Sequence, residues 1–94
     1  MSYHLLIAED NLDILSVLKL YLEASGHVVS FASNGKDALT IITQDKIDLA
    51  ILDIMMPEIN GYELIRKIRA NSNIPILVIS AKDQASDKIL GLTI

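Results

Sequence analysis

Leu49-Ala50-Ile51-Leu52-Asp53-Ile54-Met55-Met56-Pro57-Glu58-Ile59-Asn60-Gly61 is a short aliphatic run, a carboxylate, and a loop punctuated by Pro and Gly. The run is solid rather than alternating, which suits a strand covered on both faces. An acid at the end of such a strand lies where open α/β sheets keep their chemistry, in the crevice outside the carboxyl ends of the strands. Asp53 is therefore the first candidate functional residue, and the rest of the chain must supply its surroundings.

Upstream, His4-Leu5-Leu6-Ile7-Ala8 has the same solid character and stops at Glu9-Asp10-Asn11. From Leu12 the apolar period becomes helical, with Ile14, Leu15, Leu18, Tyr21 and Leu22 as one stripe and Asp13, Lys19 and Glu23 elsewhere. Asn11 is placed to cap this helix and Ser25-Gly26 to stop it. His27 to Ala32 reads as a second strand, followed by a helix capped by Asn34 with Asp37, its inner face Ala38, Leu39 and Ile42. Past Pro57, Asn60 and Glu63 resemble a capping box for a helix that turns Leu64, Ile65 and Ile68 inward. Pro75 opens a fourth strand, Ile76-Leu77-Val78-Ile79, with Ser80 as its polar last residue. Asp83 begins a final helix with Ile89, Leu90 and Leu92 as its apolar positions. Strands alternating with helices imply a parallel sheet with right-handed crossovers and helices on both faces.

Bulk properties narrow the function. At 94 residues the chain is expected to form one domain, residues 1–94, with no second core. A net charge of −4 argues against binding nucleic acid through a basic face, and the Arg66-Lys67-Arg69 cluster reads as a solvated helix face. No Cys is present, which removes disulfides, thiolate metal sites and a Cys nucleophile and fits a reducing compartment. No apolar run approaches the ~18 residues of a membrane span and no leader pattern is visible, so a cytoplasmic location is expected. His4 and His27, at strand starts and in no common motif, read as structural.

With sheet order 2-1-3-4, strands one and three are neighbours at the topological switch point, and Glu9, Asp10 and Asp53 converge there. Carboxylates crowded together repel, and a hard cation with oxygen ligands, Mg²⁺, relieves them. The backbone carbonyl of Met55 is placed to add a ligand and Ser80 to donate its hydroxyl to a phosphoryl oxygen. A carboxylate held this way can attack a phosphoryl group to form an acyl phosphate. Taken singly, each residue has a plainer reading: Glu9-Asp10 as a capping pair, Asp53 as a cap or turn residue, Ser80 as a turn serine.

Ile7-Ala8-Glu9-Asp10-Asn11, Leu52-Asp53-Ile54-Met55-Met56-Pro57 with Gly61, and Ile79-Ser80-Ala81-Lys82 together resemble the receiver domain of bacterial response regulators, from Leu5 to the end of the chain. The style is similar to regulators that carry a C-terminal winged-helix DNA-binding domain. The resemblance implies a flavodoxin-like (CheY-like) three-layer sandwich of order 2-1-3-4 and a signalling switch, not an enzyme beyond its own phosphorylation and dephosphorylation. It implies Asp53 as acceptor of a phosphoryl group from a sensor histidine kinase, and Mg²⁺ or Mn²⁺ held by Asp10, Asp53, the Met55 carbonyl and, through water, Glu9. Ser80 and Ala81 fall at the phosphoryl-binding switch, while Met55 and Lys82 fall at positions that tune how long the phosphoryl group survives. The first helix, near Leu12 and Asp13, falls where the family meets its kinase.

The family continues into a fifth strand, a lysine beside a proline, and a fifth helix, none of which can be assigned in this chain. A truncated receiver is therefore expected, with strand four as an open edge, self-association through that edge and the last helix, and no direct contact with nucleic acid or membrane. Two other readings remain: an interaction or dimerisation module independent of phosphorylation, and a haloacid-dehalogenase-like phosphatase. The phosphatase wants a second Asp two residues after the nucleophile, where Met55 stands. A flavin or dinucleotide domain is disfavoured because the Glu-Asp-Asn loop offers no glycine-rich cradle.

Overall fold

The computed structural model describes residues 2–53, 61–79 and the backbone of 92–93. The order is β1 (His4–Ala8), α1 (Leu12–Ala24), β2 (Val28–Ala32), α2 (Gly35–Gln44), β3 (Leu49–Asp53), α3 (Gly61–Arg69), β4 (Ile76–Ile79) and β5 (Leu92–Thr93). The sheet order is β2-β1-β3-β4-β5, with the first four strands parallel. The parallel order 2-1-3-4 expected from the sequence is the one formed.

The solid apolar runs follow from burial on both faces. Leu6, Ala8, Ala50, Leu52, Ile76 and Val78 pack with Ala38, Leu64, Ile65 and Ile68 beneath α2 and α3. Their neighbours Ile7, Ile51 and Ile79 face the opposite way and pack with Leu15 and Val29 beneath α1. Complete burial of an aliphatic side chain such as Leu6, Leu52 or Ile76 contributes about 1.5–3 kcal/mol. These contacts hold the strand ends, and so the candidate site, in place.

Local chemistry sets the helix ends. Asn11 Oδ1 accepts from the Asp13 and Ile14 amides at 3.0 and 3.2 Å, satisfying orphan donors of α1. At the other end, the Gly26 amide donates to the Glu23 carbonyl and the His27 amide to the Leu22 carbonyl, the paired bonds of a Schellman stop. Gly26 has φ of 95°, the left-handed conformation that this stop requires. Asn34 caps α2 by accepting from the Asp37 amide at 2.8 Å, and its own amide donates to the Asp37 carboxylate. Asp48 ties two strand starts together, because its carboxylate accepts from the His4 amide while its amide donates to the His4 carbonyl.

Three expectations need correction. Tyr21 is 71% exposed rather than part of the packed stripe of α1; it lies at the margin of the apolar arc, where Leu15, Leu18 and Leu22 already cover the sheet. Leu92 is in a strand, not a helix. With that strand antiparallel to β4, Leu77 opposite Thr93 and Val78 opposite Leu92, the β4 edge is not open along its length. The capping role of Asn60 and the start of the final helix at Asp83 fall outside the described residues.

Candidate functional site

The order of the sheet reverses between β1 and β3, and three carboxylates meet at that point. Glu9 follows β1 directly, and its amide extends the ladder by donating to the Ala32 carbonyl at 3.0 Å. Asp53 is the last residue of β3, in register with Ile79 of β4. Both are buried, at 2% and 6% exposure, whereas Asp10 is open to solvent. One carboxylate oxygen from each of Glu9, Asp10 and Asp53 lies within 4.8 Å of the others. The convergence expected from the sequence is present.

The electrostatics of the trio are unbalanced. Burial pushes the Glu9 carboxyl from an ordinary 4.5 up to about 8, against a lowering effect from the Asn11 amide, which donates to Oε2 at 3.1 Å. Hydrogen bonding and repulsion from Asp53, and a hydrogen bond with Asp10, push it further up. Burial first, and the neighbouring carboxylates second, therefore favour the protonated form of Glu9 near neutral pH. A divalent cation among these oxygens reverses that preference. Three hard oxygen donors, one of them on the solvent side, fit Mg²⁺ or Mn²⁺, with water completing the shell.

The sequence marked Asn11 only as a helix cap. In the structure its side chain caps α1 while its backbone N–H holds Glu9, so one residue fixes both the helix start and the orientation of a site carboxylate. The adjacency of Asn11 to Glu9-Asp10 was the available signal. Met55, Ser80, Ala81 and Lys82 lie outside the described residues. His4 lies at the other end of β1, with Nε2 2.7 Å from Ser30 Oγ, and His27 Nδ1 accepts from the Tyr3 amide; both serve the architecture.

A doubly wound parallel sheet with buried and exposed carboxylates at its switch point is an arrangement that could hold a divalent cation. The family model of the response regulator receiver domain matches residues 5–94, and the chain belongs to that family. It is similar to the response regulator GtcR of Aneurinibacillus migulanus, with 44% identity over 98% of this chain and 38% of that protein. It is also similar to the response regulator SaeR of Staphylococcus aureus, with 40% identity over 97% of this chain and 40% of that protein. The chain thus spans about two fifths of the length of these curated relatives. Among solved structures, the receiver domain of the Francisella response regulator 1452 superposes with a TM-score of 0.81 at 32% identity, covering 92% of this chain and 72% of that one. The response regulator TrrA of Thermotoga maritima, solved with Mg²⁺ and BeF, gives 0.81 at 33% identity over 86% of this chain and 71% of that one.

Proposed function

We propose that Asp53 accepts a phosphoryl group from a phosphohistidine of a sensor kinase and that the phosphorylated domain controls an output, transcription, in the longer protein. The observation that carries this reading is the position of Asp53, buried at the switch point with oxygens of Glu9 and Asp10 within 4.8 Å. A carboxylate oxygen of Asp53 attacks phosphorus, the phosphorus–nitrogen bond of the donor breaks with its electron pair going to nitrogen, and the donor leaves as neutral imidazole, keeping the N–H on its other ring nitrogen. Asp10, Asp53, the Met55 carbonyl and, through water, Glu9 would hold a divalent cation, which when bound would neutralise charge on the phosphoryl oxygens.

Glu9 would give up its proton to a bound cation's field, and the Asn11 N–H holds its carboxylate at Oε2. In this reading Ser80 and Ala81 take the phosphoryl-binding switch role, and Met55 and Lys82 tune how long the phosphoryl group survives. The domain is a stoichiometric acceptor rather than a turnover enzyme. Among the described residues no helix is long and apolar enough to cross a membrane. The first helix, near Leu12 and Asp13, receives the kinase. Self-association through β4 would have to contend with β5, which occupies Leu77 and Val78.

The test is labelling by radioactive acetyl phosphate with Mg²⁺. The expected product is a hydroxylamine-sensitive acyl phosphate, absent with EDTA and absent in Asp53→Asn. A hydroxylamine-resistant label, or label retained in Asp53→Asn, overturns the assignment.

A further inference from the structure

The opposite edge of the sheet carries chemistry that the phosphoryl reading does not use. Among the described residues β2 ends the sheet. The Val28 amide donates to the Tyr3 carbonyl and the Ala32 carbonyl accepts from the Glu9 amide. With the parallel register of β1 and β2, Val28, Ser30 and Ala32 therefore direct their backbone groups inward to β1. The N–H and C=O groups of Val29 and Phe31 point away from the sheet. The strand itself carries none of the charges or prolines that commonly block such an edge: from Val28 to Ser33 there is no Lys, no other charge and no Pro. Val28 and Phe31 are both more than half exposed on it, at 57% and 51%.

We propose that β2 is a self-pairing edge, at which a second copy of this chain adds its own β2 antiparallel across a two-fold axis through Ser30. In this register Val29 and Phe31 of one copy exchange backbone hydrogen bonds with Phe31 and Val29 of the other, so the outward backbone groups meet their complements. Val28 stands opposite Ala32 on one face and Phe31 opposite Val29 on the other. No like charges face each other along the strand.

The flanking helix favours the same register. Lys19 Nζ lies 5.8 Å from the Phe31 ring centroid, so it sits level with Phe31. Glu23, bound to Lys19 at 3.1 Å, is one helical turn further on. A turn rises about 5.4 Å, close to two strand residues, which puts Glu23 near the level of Val29. Because Phe31 stands opposite Val29 of the second copy, Lys19 stands level with the second copy's Glu23, and the reverse holds by symmetry. The charge pattern is self-complementary across the axis.

The chain has no cysteine, so a single thiol reports this geometry directly. Ser30 would face its own copy in a non-hydrogen-bonded antiparallel pair, with Cα atoms about 4.5 Å apart, within disulfide reach. Ser30→Cys under mild oxidation is expected to form a covalent dimer at least about tenfold faster than Thr40→Cys, which places the thiol on exposed α2. Adding Phe31→Lys to Ser30→Cys is expected to return the rate to that of the control, with circular dichroism verifying the fold. Sedimentation of the unmodified chain should show mass rising toward a dimer with concentration, and Phe31→Lys should stay monomeric. Equal oxidation rates for the two cysteine variants overturn the proposal. So does a dimer whose mass is unmoved by Phe31→Lys. None of these readouts depends on phosphorylation of Asp53.

Discussion

Replacing Glu9 by Gln removes the titrating group while keeping its shape and its acceptor for the Asn11 amide. In the folded protein the Glu9 carboxyl is held at about 8, against 4.5 ordinarily, first by burial and then by Asp53 and Asp10. Because the folded value is the higher one, the unfolded chain releases this proton first as pH rises. The Glu9 contribution to stability is therefore fully present below about pH 4.5 and is lost progressively until about pH 8. Each pH unit in that window corresponds to about 1.4 kcal/mol for an isolated group. Asp53 and Asp10 lie close enough to respond to Glu9, so the expected swing is smaller than the full window would give, between about 1 and 4 kcal/mol.

Urea denaturation in EDTA at about pH 5 and about pH 8.5 measures it. Glu9→Gln should gain stability relative to the unmodified protein by that amount on going to the higher pH, about 4–8 °C in Tm for each kcal/mol. Titrations elsewhere in the molecule cancel in the comparison. A difference between the two proteins that stays constant within about 0.5 kcal/mol across the two pH values refutes the account of Glu9.

Mg²⁺ binding should release a proton from Glu9 and weaken as pH falls below about 8, seen as buffer-dependent heats in calorimetry that disappear in Glu9→Gln. Leu52→Ala should destabilise the fold by about 2–5 kcal/mol in urea denaturation, since Leu52 is fully buried between β3 and the α2–α3 layer. Gly26→Ala meets no neighbouring atom but must adopt φ of 95°, and should cost about 1–2 kcal/mol by thermal denaturation.

Much of this architecture was legible because two periods were present without conflict. The runs at Leu5-Leu6-Ile7-Ala8 and Ala50-Ile51-Leu52 show no alternation because both faces of the sheet are covered, and that is how they read in the sequence. Asn11, Asn34 and Gly26 act locally, through bonds to residues two to five positions away, so their roles could be read from sequence neighbours. The trio of carboxylates followed from topology, because order 2-1-3-4 leaves the ends of β1 and β3 adjacent.

What the sequence concealed depends on the packed surroundings. Tyr21 satisfies the helical period, yet whether a residue at the margin of the stripe is covered depends on how wide a surface the sheet offers α1. Leu92 satisfies a helical pattern with Ile89 and Leu90 as well as a strand, and pairing with Val78 decides between them. The proton on Glu9 has no local signature, since it arises from burial and from a carboxylate 44 positions away in the chain.

The account rests on Asp53 as the phosphoacceptor, and intact mass spectrometry after acetyl phosphate and Mg²⁺, followed by borohydride reduction, tests it most directly. The mass should rise by one phosphoryl group, and reduction of the acyl phosphate should convert residue 53 alone to homoserine, with no change in Asp53→Asn. An unchanged mass, or homoserine at position 10 instead of 53, would contradict it.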